Sequence, residues 1–115
     1  MAFTTRQAMA ACAAFPAVEL SYPFGEQTPV FKVVGRMFAA LNAEEGPGEI
    51  TLKADPEDAK ALVETFADIR PGYHMNKKHW ISVRLPTFRV PATELIRDSY
   101  DLVVAGLPRD KRPKP

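Results

Sequence analysis

Within the stretch from Glu49 to Phe66 the hydrophobic period of the chain changes from two to that of a helix. Glu49-Ile50-Thr51-Leu52-Lys53 alternates polar and apolar residues, the pattern of a half-buried strand. After Ala54, Asp55 is a good N-cap and Pro56 suits the first helical position. Ala59, Leu62, Val63 and Phe66 then recur at helical spacing. A strand that hides one face and leads directly into a one-sided helix requires a sheet with helices laid against it. Ala59, Leu62, Val63 and Phe66 are therefore expected to cover the sheet face carrying Ile50, Leu52, Ile81 and Val83.

The remaining elements fit that frame. Thr4 and Gln7 read as a capping box opening a helix over residues 5–14, stopped by Pro16. Val18 to Leu20 reads as a short strand. Val30 to Val34 and Met37 to Leu41 read as a hairpin with its tip at Gly35-Arg36. Pro71-Gly72 reads as a turn, followed by a second hairpin of residues 73–76 and 79–85 with Lys77-Lys78 at its tip. Pro91 opens a last helix, and Gly106 and Pro108 end it. The order is helix, three or four strands, helix, two strands, helix: an α+β fold, an antiparallel sheet with three helices on one face. Residues 1–108 read as one domain and residues 109–115 as a flexible basic tail.

Charge is unevenly placed. The net charge of +1 is not that of a strong generic nucleic-acid binder. Yet no acid occurs between Ile69 and Thr93, where Arg70, Lys77, Lys78, Arg84 and Arg89 lie with His74 and His79. Strand alternation puts Trp80, Ser82 and Arg84 opposite Ile81 and Val83, and puts Lys32 and Lys53 on the same outward side. Lys32, Lys53, Trp80 and Arg84 then form a cationic, aromatic platform, although a plain solvated face gives the same pattern.

Catalysis is not expected. Cys12 lies in an apolar run and reads as a buried, inert thiol, and with one cysteine no intrachain disulfide can form. His74 and His79 have Asn76, Lys77 and Lys78 between them and no Cys or acid nearby, so no metal is expected there. Asp55, Glu57 and Asp58 are explained by helix capping. No cofactor motif is present. The N-terminal stretch carries one basic residue, Arg6, before Pro16 and reads as a helix rather than a leader. No run is long enough to cross a bilayer, and a cytoplasmic location is the expectation. The oligomeric state is not encoded in any of these features.

Several segments together resemble the MmcQ/YjbR family of small bacterial proteins. They are Ser21-Tyr22-Pro23-Phe24-Gly25, Val30-Phe31-Lys32-Val33 with Gly35-Arg36-Met37-Phe38-Ala39, Leu52-Lys53-Ala54-Asp55-Pro56, the run from Pro71 to Trp80, and Ser99-Tyr100-Asp101-Leu102-Val103. They fall in family order, and the run from Pro71 to Trp80 is the most specific. The resemblance implies helices on an antiparallel sheet, similar to secretion-chaperone-like proteins, and the family's label of a double-wing DNA-binding domain. On that reading the wings carry Arg36 at one tip and Lys77-Lys78 at the other. These cations, with Arg84, would contact DNA phosphates, while His74, Asn76 and His79 would supply hydrogen bonds. The alternative is a protein-interaction or chaperone-like module using the open sheet face or a dimer surface.

Overall fold

The computed structural model describes residues 2–42, 48–72 and 78–113. The chain runs α1 (Thr5–Ala13), β1 (Val18–Ser21), β2 (Val30–Val33), β3 (Arg36–Asn42), β4 (Glu49–Lys53), α2 (Pro56–Thr65), β5 (Ile69–Pro71), β6 (Trp80–Arg84) and α3 (Ala92–Ala105). The strands form one antiparallel sheet in the order β1-β2-β3-β4-β6-β5. Three helices cover one face, as expected: α3 crosses β2, β3 and β4, α2 lies on β5 and β6, and α1 packs beside α3. Ile50, Leu52, Ile81 and Val83 form the buried floor, and Leu62, Val63 and Phe66 pack against it half-buried.

Local chemistry explains the ends of the elements. The capping box of α1 is formed: Gln7 N donates to Thr4 Oγ1 at 3.2 Å, and Thr4 N donates to Gln7 Oε1 at 2.9 Å. Asp55 caps α2 through a 3.1 Å bond from Glu57 N.

A β-bulge decides how the core is filled. Phe31 pairs with Ala39 while Lys32 pairs with Met37, so β3 holds one extra residue, Phe38. Phe38 and Ala39 consequently both face the helices, where strict alternation would have sent Phe38 outward. The bulge also parts β3 from β4 at this level. The Ser99 hydroxyl fills the gap, accepting from Lys53 N at 2.8 Å and donating to Phe38 O at 2.5 Å. Tyr100 then stacks on Phe15 at 4.5 Å, meets Phe38 edge-on at 5.2 Å, and donates to Pro16 O at 2.6 Å. The Ser99-Tyr100 pair thus stitches α3 to the bulged strand and to the end of α1.

Three sequence expectations are corrected. The first hairpin turns at Val34-Gly35 rather than Gly35-Arg36, with φ of 49° and 75° at the two central residues. Positive φ at both is what a two-residue hairpin loop of matching twist needs, and a β-branched valine adopts it reluctantly. Arg36 is thereby drawn out of the tip into β3. We expect Val34→Asn to raise stability by about 1 kcal/mol in chemical unfolding, because Asn tolerates this conformation; an unchanged or lower midpoint would contradict the turn assignment.

The second correction is that Pro71-Gly72 is not a turn. Pro71 ends strand β5, and Gly72 N donates to Trp80 O at 3.0 Å, prolonging the ladder. Proline is tolerated because β5 is an edge strand. A Cβ on Gly72 would come within 3.0 Å of Trp80 Cβ, so the glycine permits the close approach. The first strand of the second hairpin therefore precedes the expected residues 73–76, which lie outside the described residues, as does the tip residue Lys77. Third, the tail does not depart freely at Arg109. Arg109–Lys111 form a 3-10 turn, and Arg112 donates to Leu107 O at 3.0 Å and Ala105 O at 2.9 Å, satisfying carbonyls at the end of α3.

Candidate functional site

The helix-free face of the sheet gathers the four platform residues. Cα partners share a face, so the register places Lys53 beside Trp80, Glu49 beside Arg84, and Lys32 between Glu19 and Met37. Lys32, Lys53, Trp80 and Arg84 do lie on one surface. Between their levels a continuous row of short side chains crosses the strands: Ser21, Val30, Ala40, Thr51 and Ser82, ending on Arg70. Val30 and Ser82 are 1% and 2% exposed. The result is a shallow trough at right angles to the strands. Lys32, Lys53 and Trp80 rise along one side of it, and Asn42, Glu49 and Arg84 along the other. Six strands at about 4.8 Å spacing make it roughly 24 Å long. The Thr51 and Ser82 hydroxyls satisfy each other at 3.2 Å in its floor.

Electrostatically the face is cationic with acids interspersed. Arg70 Nη2 donates to Glu49 Oε2 at 2.6 Å, an exposed pair worth at most about 1 kcal/mol. Glu19 sits beside Lys32. The sequence places Arg70 in the basic run without bringing it, or Glu19, onto this face. Arg70 falls on β5, which was not recognised as a strand because Pro71-Gly72 reads as a turn.

The proposed wing residues separate. The β2–β3 turn and the described residues Gly72, after β5, and Lys78, before β6, do lie at the same end of the sheet, on either side of the end of β4. But the first tip presents Val34 and Gly35, and Arg36 reaches back to Gly106 O at 3.4 Å, at the negative end of α3. Lys78 and His79 are exposed in the turn before Trp80, and Lys78 borders α2 near Lys60 and Glu64. His74, Asn76 and Lys77 lie outside the described residues.

Cys12 is fully buried in α1, and desolvation pushes its thiol up to about 12. Among the described residues no three His, Cys, Asp or Glu side chains gather to hold a metal ion, and no helix is long and apolar enough to cross a membrane.

Comparison with known proteins agrees with this fold. The sequence model of the family described as YjbR matches residues 13–102. The chain is 43% identical over 105 residues to Escherichia coli O157:H7 protein YbdF, covering 87% of this chain and 85% of YbdF. It is 34% identical over 104 residues to YjbR of Escherichia coli K12, covering 88% and 87%. Among solved structures, the crystal structure of Deinococcus radiodurans protein DR2400 superposes with a TM-score of 0.84 at 37% identity, over 95% of this chain and 85% of that one. A Pseudomonas syringae crystal structure superposes with a TM-score of 0.72 at 27% identity, over 87% and 98%.

Proposed function

The chain belongs to the YjbR family, and from its own geometry we propose that it is a nucleic-acid-binding protein whose open sheet face, rather than two cationic tips, receives the ligand. The observation that carries this is the trough: a floor of short side chains crossing the strands, with Lys32, Lys53 and Trp80 along one edge and Arg84 along the other. Cations spaced along a groove neutralise successive phosphates and release counterions. An indole beside them offers a face on which an unpaired base stacks, worth about 1–3 kcal/mol per base. A flat sheet face with one aromatic suits a single strand better than a duplex, because nothing described on it projects far enough to enter a major groove. On this proposal Lys78 and His79 extend the path at the Trp80 end, whereas Arg36, which reaches toward Gly106 O at 3.4 Å, is assigned no contact. The reading assigns binding and no reaction to the chain.

The experiment is a titration with a single-stranded oligothymidylate, followed by the fluorescence of Trp80, the sole tryptophan. Quenching should saturate at low salt. With about four phosphate contacts, from Lys32, Lys53, Lys78 and Arg84, the slope of log affinity on log salt should be roughly −2.8. Lys53→Ala/Arg84→Ala should reduce its magnitude by about 1.4, and Arg36→Ala should leave it unchanged. A slope that responds to Arg36 but not to Lys53 and Arg84 would restore the two-tip reading. No quenching at low salt would refute nucleic-acid binding by this face.

A further inference from the structure

The helical side carries a second surface of opposite charge. α2 lies over β5 and β6 and α3 over β2 to β4, and the space between them is an open groove of about 720 Å3. Ile81 of the sheet, Leu62 of α2, and Leu95 and Leu102 of α3 line it. Leu62, Leu95 and Leu102 are only half-buried, so an apolar strip remains in contact with solvent. Its rims are acidic on both sides: Asp55 and Asp58 on α2's side, Asp98 and Asp101 on α3's. Lys53 borders the groove at the end of β4, where its N–H is tied to Ser99, and Arg97 lies 4.0 Å from Asp101 in a highly exposed contact. Neither balances four carboxylates. Leu95, Asp98, Leu102 and Ala105 fall at offsets of three, four and three, so one stripe of α3 faces the groove for about 15 Å.

We propose that this groove docks a basic amphipathic helix of a partner protein. The floor fits apolar anchors at i, i+3 or i+4 and i+7, which span about 10 Å of helix. The acidic rims fit lysines or arginines flanking those anchors, and they disfavour the acidic helices that this chain itself presents. The inference does not rest on nucleic-acid binding, since the groove and the trough lie on opposite faces of the sheet and share only Lys53, at the end of β4.

The test uses the full chain and a fluorescein-labelled 14-residue peptide of leucine and lysine with leucines at helical spacing, followed by anisotropy. Two control peptides are the same leucine pattern with glutamate in place of lysine, and the same composition with the leucines scrambled. The leucine–lysine peptide should bind at least about tenfold more tightly than either control. Asp58→Lys/Asp98→Lys should weaken it about tenfold or more, and Ala61→Phe, which narrows the groove without changing charge, should do the same. Circular dichroism and Trp80 emission should be unchanged in both variants. If Asp58→Lys/Asp98→Lys alters circular dichroism, Asp98→Asn/Asp101→Asn is the charge variant to read. Equal binding of the scrambled or acidic peptide, or full affinity in the groove variants, overturns the proposal. So does dimerisation of the chain alone that these variants abolish, which would make a second copy the occupant.

Discussion

Phe38→Ala is expected to cost about 3–5 kcal/mol of folding stability, the range for removing a fully buried aromatic side chain. The ring is 0% exposed and touches elements distant in sequence, with Phe31, Phe15 and Tyr100 at centroid separations of 6.4, 6.0 and 5.2 Å. The cavity cannot collapse easily, because β3 is held at this residue by the Ser99 hydroxyl bond to Phe38 O. Phe66→Ala, by contrast, should cost distinctly less, since Phe66 is only half-buried at the end of α2. Urea unfolding of the two variants measures the difference. A Phe38→Ala loss no larger than that of Phe66→Ala would mean that the bulge does not turn Phe38 into the core.

Alkaline pH should expose the second large effect, at Cys12. The folded thiol is raised by burial from an ordinary value of 9.0 to about 12. A raised folded value means that Cys12 contributes fully below pH 9, and that the contribution is lost as pH climbs toward 12, because only the unfolded chain ionises in that window. About three units correspond to roughly 4 kcal/mol. Lysines and tyrosines titrate in the same range, so the quantity to measure is the difference between wild type and Cys12→Ala in denaturant unfolding from pH 8 to 11. Cys12→Ala should start less stable, having lost a packed side chain, and should fall less steeply. By pH 11 the gap should have closed by about 2–3 kcal/mol relative to pH 8. A gap independent of pH would show that the thiol ionises as freely in the folded chain as in the unfolded one.

Period carried most of the fold. The alternation at Glu49–Lys53 and the helical spacing from Ala59 to Phe66 assigned a sheet face and its covering helix from residue types alone, since both patterns are local. What escaped were features set by pairing between distant segments. The bulge at Phe38 leaves no local mark, because Met-Phe-Ala-Ala-Leu is compatible with either face pointing inward. The turn sits one residue earlier than the glycine suggests, because Gly35 supplies its second central position and Val34 the first. β5 was hidden by a proline that only an edge strand tolerates. The candidate site followed the same division. Alternation placed Lys32, Lys53, Trp80 and Arg84 together correctly, whereas Arg36 was assigned to a tip from which the true register removes it. The acidic groove was invisible, since Asp55 and Asp58 are fully explained as capping residues until α3 brings Asp98 and Asp101 opposite them.

Nucleic-acid binding by the trough is tested most directly by the backbone amide shifts in a 1H–15N spectrum as oligothymidylate is added to the labelled chain. A continuous path of perturbed amides is expected along the trough, through Lys32 of β2, Thr51 and Lys53 of β4, and Trp80 to Arg84 of β6, with α2 and α3 unmoved. Shifts confined to Gly35 and Arg36 together with Lys78, with the centre of the sheet silent, would contradict it.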